Sequence, residues 1–306
     1  MIMRYEHLSQ HPKIFPKVTG LTGAEFDDLV TDIRPRYVEA ERERLQRPDR
    51  QRDIGAGRNY ELEMRDHLLL AVVWLRIYPT GDVLGYLFGV SAPTVSRTLA
   101  RVLPLLEQAG RDTMRLPDPG RKRRRQFSEL LTMIPELSVV VDSFEQAVQR
   151  SQDHDDADAH YSGKKKQHTL KSQVTVDADS GYIADIADSV PGPTADIKLL
   201  EDSKLLDHLP DEVGVGGDLA YIKLAKLRQQ GFSPRRKPRG KPRPVQDQVF
   251  NRVFSHFRII VEHTIGRMRR FQAITQTDRH HRRYHTARTC AIAGLVNRHL
   301  QACGVG

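Results

Sequence analysis

The chain has 306 residues, room for about two domains of roughly 150 residues each. Its 48 Lys and Arg outnumber 39 Asp and Glu, so the net charge is +9 and a polyanion is the first partner to consider. The longest apolar run (68–75) is too short for a membrane span, the N-terminal stretch has no signal-peptide core, and two cysteines, Cys290 and Cys303, make neither a disulfide framework nor a zinc site, which fits a reducing cytoplasm.

Residues 21 to about 110 read as helical. Thr22 and Glu25 have the spacing of a capping box, and Phe26, Leu29 and Ile33 follow at helical intervals. A charged connector over 39–59 leads to a strongly apolar helix that should stop near Pro79. Next come Leu84, Leu87 and Phe88 on one face, a turn at Gly89, and a helix capped by Ser91. That second helix turns Val95, Leu99 and Val102 inward and Thr94, Ser96, Arg97 and Arg101 outward, the pattern of a DNA-reading helix-turn-helix or of an ordinary helical hairpin.

Four basic runs hold much of the excess charge: RKRRR (121–125), GKKK (163–166), PRRKPRGKPRP (234–244) and DRHHRRYH (278–285). The first lies in a Pro- and Gly-rich linker over 116–127, which divides a helical region, 1–115, from a second domain, 128–306. The run near 233–247 is too Pro-rich for helix or strand and is predicted to be a mobile basic loop. In the last run, His280, His281 and His285 lie among arginines, which favours a DNA-facing segment over a transition-metal site.

From residue 137 the composition turns to strands, at 137–144, 168–179, 181–190 and 212–222, with helical periodicity over 192–209 and 251–271. The expected fold is a mixed α/β sheet flanked by helices. The first strand is predicted to end at Asp142, and Val213 and Val215 lead through glycines to Asp218. If those strands are parallel neighbours, both carboxylates emerge at one sheet edge, where open α/β sheets place their sites. Glu262 is a third acid, on the border of a helical face built from Val253, Phe257, Ile260, Ile265 and Met268, with Arg258 and Arg269 on its stripe. Arg258 and Glu262 also have the spacing of a plain surface ion pair. Three convergent carboxylates would need a cation, and oxygen donors suit Mg²⁺ or Mn²⁺. Two such ions can activate an attacking oxygen and stabilise a leaving one in phosphodiester displacement.

These motifs, in order, resemble the DDE transposases of bacterial insertion sequences, of the type related to the Harbinger elements. The resemblance runs from the helix-turn-helix to about residue 275, through VVVDS, the lysine-rich turn YSGKKKQ, the Pro-Gly turn of VPGPTADIKLL, and GDLAYI with Tyr221. Related transposases then carry Tyr, Arg, Glu and Lys at set spacing; here Arg258, Glu262 and Arg269 keep it, with Ser255 in the Tyr position. The resemblance implies a ribonuclease H-like catalytic domain after a helical helix-turn-helix domain. It implies Asp142, Asp218 and Glu262 as catalytic ligands of two Mg²⁺ or Mn²⁺ ions, and hydrolysis followed by strand transfer. The double-stranded DNA partners would be terminal inverted repeats and target, bound in the bacterial nucleoid by at least a homodimer. Thr94, Ser96, Arg97, Arg101, Lys164, Lys165, Lys166, Arg258 and Arg269 would contact DNA. Asp196 is either an outer support of the site or a helix N-terminal residue. The alternatives are a non-catalytic domesticated DNA-binding protein and a nuclease of the same fold that joins no ends.

Overall fold

The computed structural model describes residues 3–46, 62–116 and 137–304, so the linker expected over 116–127 lies, but for its first residue, outside the described residues. The helical part comprises α1 (Tyr5–Leu8), α2 (Phe15–Thr19), α3 (Gly23–Leu45), α4 (Met64–Ile77), α5 (Gly81–Phe88) and α6 (Ala92–Arg111). Local chemistry sets their ends. Glu25 N–H donates to the Thr22 hydroxyl (3.3 Å) and the Glu25 carboxylate accepts from Thr22 N–H (2.7 Å), the capping box expected from sequence. Tyr78, in the left-handed region at φ 57°, ends α4 one residue before Pro79. Gly89 (φ 65°) closes α5, and Ser91 caps α6. A Cβ on Gly85 would lie 2.5 Å from the Val90 carbonyl oxygen, so the helix-turn-helix packs too tightly there for a side chain. Residues Leu68 to Leu75 of α4 are all buried, each large side chain contributing about 1.5–3 kcal/mol.

The second part is a seven-stranded mixed sheet flanked by helices. Its strands are β1 (Leu137–Ala147), β2 (Tyr161–Ser162), β3 (Gln167–Asp177), β4 (Ile183–Ile186), β5 (Val190–Pro191), β6 (Gly214–Gly217) and β7 (Gly231–Phe232). The order is β2-β3-β1-β6-β7, with β4 and β5 also paired to β3. β1 is antiparallel to β3, with Asp142 opposite Val174, and parallel to β6. The helices are α7 (His154–His160), α8 (Asp196–Asp202), α9 (Leu205–His208), α10 (Leu224–Leu227), α11 (Val245–Met268) and α12 (His285–Ala302).

Alternation along β1 assigns its two faces. Val140 and Phe144 enter a core with Phe254, Phe257 and Val261 of α11. Val139 and Val141 enter a smaller one with Leu200, Val213, Val215 and Tyr221. The larger core is continuous with the N-terminal helices. α12 packs along α6, where a Cβ on Gly294 would stand 2.3 Å from the Gly110 Cα. Among the described residues no helix is long and apolar enough to cross a membrane.

Three expectations need correction. β1 does not end at Asp142 but continues to Ala147, because β3 goes on pairing with it after β6 has stopped. α11 starts at Val245, six residues before the predicted periodicity, since nothing after Pro244 breaks a helix. The segment 278–285 is anchored at both ends rather than uniformly exposed, although Arg279, His281 and Arg283 stay at the surface. Asp278 and His285 are buried, His280 packs edge-on against Trp74, and Arg282 pairs with Asp156 (2.5 Å).

Candidate active site

Val141 stands beside Gly217 in the parallel β1–β6 pair, so Asp218, the first residue after β6, comes level with Asp142 on the continuing strand β1. Gly217 is required there, for a Cβ would lie 2.6 Å from the Tyr221 ring. Asp218 starts a short turn in which its Oδ1 accepts from Ala220 N–H (2.8 Å). Asp142 accepts from the N–H of Ser143 (2.8 Å). Burial, above all, pushes the Asp142 carboxyl up to about 6; the Ser143 N–H and Arg258 oppose the rise, while Asp218 and Asp196 add to it. A carboxylate so placed gains from any cation that joins it, and two all-oxygen side chains match a hard divalent ion that keeps part of its water.

Glu262 sits on α11, which packs on β1 and β3. Its side chain is 53% exposed and its Oε1 accepts from Arg258 Nη2 at 3.1 Å. The surface ion pair considered from sequence therefore forms, and such a pair contributes little, about 0–1 kcal/mol. Among the described residues no three His, Cys, Asp or Glu side chains are grouped closely enough to hold a metal ion. The structure thus joins Asp142 to Asp218 and turns Glu262 onto Arg258. Arg269, at the end of α11, lies over the Phe144 ring at 5.9 Å, and Ser255 donates to the Arg252 carbonyl (2.7 Å).

Asp196 is more engaged than either reading from sequence implied. Ala195 holds the N-cap position of α8, and Asp196 Oδ1 instead accepts from the Ser143 hydroxyl (2.5 Å) and from Lys171 Nζ (3.1 Å). Lys171 is buried. Tyr221 is fully buried, donates to Gln173 Oε1 (3.3 Å), and has its phenol pushed well above the ordinary value by burial first and then by Asp196, Asp142 and Asp218. Ser143, Lys171 and Gln173 escaped the sequence reading. Their signal was present, as polar residues that share one face of two paired strands: Ser143 opposes Gln173, and Glu145 opposes Lys171.

In the helix-turn-helix, Ser96 and Arg97 are exposed, and Thr94 is half-buried with its hydroxyl 3.0 Å from that of Ser91. Arg101 is paired with Glu41 of α3 at 3.0 Å, which fastens the second helix to the bundle. Lys164, Lys165 and Lys166 are all exposed on the turn between β2 and β3.

A family model described as DDE superfamily endonuclease matches residues 141–297. A second, the helix-turn-helix of DDE superfamily endonuclease, matches residues 60–112. Over 287 residues, 94% of each chain, the protein is 26% identical to a "Probable transposase for insertion sequence element IS702" of Microchaete diplosiphon. Over 273 residues, 87% of each chain, it is 22% identical to a "Putative transposase for insertion sequence element IS112" of Streptomyces albus G. No solved structure matches it.

Proposed function

The chain belongs to the DDE superfamily endonucleases, with that family's helix-turn-helix ahead of the endonuclease region, and from this premise we propose that it is an insertion-sequence transposase. The observation that carries the reading is the adjacency of Asp142, within β1, and Asp218, just past the end of the parallel strand β6. Both named relatives align along most of their length and support the same reading. The working division is a DNA-binding part over 1–115 and a catalytic part over 128–306.

Asp142 and Asp218, with Glu262 turned away from Arg258, would hold two divalent ions, Mg²⁺ or Mn²⁺, whose chemistry is to activate an attacking oxygen and neutralise a leaving one. The chain's own residues do the positioning. A strand paired on both sides at Val141 fixes Asp142, and the Asp218 turn fixes its neighbour. Ser143 and Lys171 hold Asp196 behind the pair, where it adds negative charge without being a ligand. Arg258 and Arg269 offer guanidinium groups to phosphates, and Lys164, Lys165 and Lys166 carry the basic surface along the sheet edge. Thr94, Ser96 and Arg97 meet duplex DNA at the element's terminal repeats, while Arg101 orients their helix through Glu41. Joining two element ends in one event requires at least a dimer on DNA.

The test is product analysis with supercoiled target plasmid and labelled duplex from the DNA flanking the gene. A transposase joins label to plasmid. Cut but unjoined ends would leave a nuclease of the same fold, and metal-independent binding without cutting would leave a DNA-binding protein.

A further inference from the structure

Between the end of β6 and the start of α11 lies an open cleft of about 510 Å³. Leu219, which follows Asp218, and Arg258 line one end. Segment 234–243 forms the other side with Arg235, Arg236, Lys237 and Arg243. Sequence alone suggested a mobile loop, yet its first residues are fastened. Arg235 N–H donates to Asn251 Oδ1 (2.8 Å), and Asn251 Nδ2 donates back to the Arg235 carbonyl (3.0 Å). The Arg235 guanidinium pairs with Asp247 (2.9 Å) and lies 4.5 Å above the Phe250 ring. Arg235 therefore works as a clasp. Arg236, Lys237 and Arg243 form no ion pair among the described residues, and Arg243 Nε is buried without a hydrogen-bond partner. A clasped segment that holds unneutralised cations close together repels itself, and a row of anions would relieve it.

We infer that this cleft seats the phosphate backbone of the DNA strand that crosses Asp142 and Asp218, with Arg236, Lys237 and Arg243 on phosphates beyond the reacting one. The inference rests on the endonuclease reading for the strand's path, but its contacts are tested without catalysis. A regular line of phosphates, rather than an acidic peptide, fits because the cleft opens beside the phosphodiester-processing end of the sheet.

The experiment is anisotropy of the full chain on a fluorescein-labelled duplex of about 40 base pairs, in EDTA, across a salt series. Arg236→Gln/Lys237→Gln/Arg243→Gln should lower the slope of log affinity against log salt by about 2.7, so that about 40-fold less affinity is lost between roughly 50 and 200 mM. Arg236→Lys/Lys237→Arg/Arg243→Lys should keep the wild-type slope. Should the triple Gln variant not fold, Lys237→Gln alone, at an exposed position, should lower the slope by about 0.9. A wild-type slope in the neutralised variants overturns the inference. So does loss of binding to a poly-glutamate peptide with the DNA slope intact. Since neither metal nor cleavage enters the readout, a wild-type protein that fails to cut DNA counts against the transposase reading alone.

Discussion

Replacing Arg288 by Met isolates the junction that makes one body of helices and sheet. Asp278 and Arg288 face each other with side chains 0% and 1% exposed. The remaining partners of Asp278 are the Tyr78 hydroxyl (3.1 Å) and the His280 N–H (2.9 Å). Tyr78 ends α4, and Asp278 N–H donates to the Ala147 carbonyl (2.8 Å), the last residue of the strand that carries Asp142. Removing the guanidinium leaves a buried carboxylate with two neutral donors, at a cost of about 3–5 kcal/mol. For a chain of 306 residues that is a fall of about 5–8 °C in Tm by circular dichroism, with a matching drop in urea midpoint. The double variant Asp278→Leu/Arg288→Met should regain most of this, short of about 1 kcal/mol for the His280 N–H left without its acceptor, while the Tyr78 hydroxyl keeps His280 Nδ1 and Arg279 N–H as partners. A single-variant cost under about 1 kcal/mol, or a double variant no better than the single, would refute the reasoning.

Three further outcomes follow from the same structure. His67 and His285 are buried, and burial, helped by Arg101 and Arg288 respectively, lowers each imidazole from 6.5 to about 4. The unfolded chain then takes up protons first, so stability falls as pH drops from about 6.5 towards 4, by up to about 3 kcal/mol per histidine, and His67→Gln or His285→Gln should flatten that limb in urea titrations. Mg²⁺ or Mn²⁺ at about ten times its Kd should stabilise the wild type by about 1.4 kcal/mol in thermal melts and leave Asp142→Asn and Asp218→Asn unmoved; equal stabilisation of all three would place the ion elsewhere. Arg97→Gln should lower the salt slope of duplex binding by about 0.9, whereas Arg101→Gln should lower it less and instead cost about 0.5–1 kcal/mol of stability, because Arg101 is paired with Glu41.

What the sequence made legible is what depends on local pattern. Thr22 with Glu25, Gly89 before Ser91, and the apolar strands ahead of Asp142 and Asp218 each follow from a few neighbouring residues. The parallel pairing of β1 with β6 could be posed as a condition, and the fold meets it. Partner choice was not legible. Glu262 reads equally as a ligand and as the partner of Arg258 four residues away, and only the three-dimensional setting turns it onto Arg258. Arg101 reads as an outward cation until Glu41, sixty residues earlier, is seen to hold it. Segment 234–243 reads as loose because no pattern within it reports the Asn251 bracket. His285 looked exposed among arginines, yet it bonds Gln146 (2.8 Å) and Ser189 (2.7 Å) inside the core.

The most direct test of the whole account is nicking of supercoiled plasmid with Mg²⁺ or Mn²⁺ by the wild type and by Asp142→Asn, Asp218→Asn and Glu262→Gln, each checked for an unchanged melt in EDTA. Metal-dependent nicking by the wild type, lost in all three variants, is the expected result. Nicking that survives in Asp142→Asn or Asp218→Asn would contradict the assignment of the paired carboxylates as the catalytic centre.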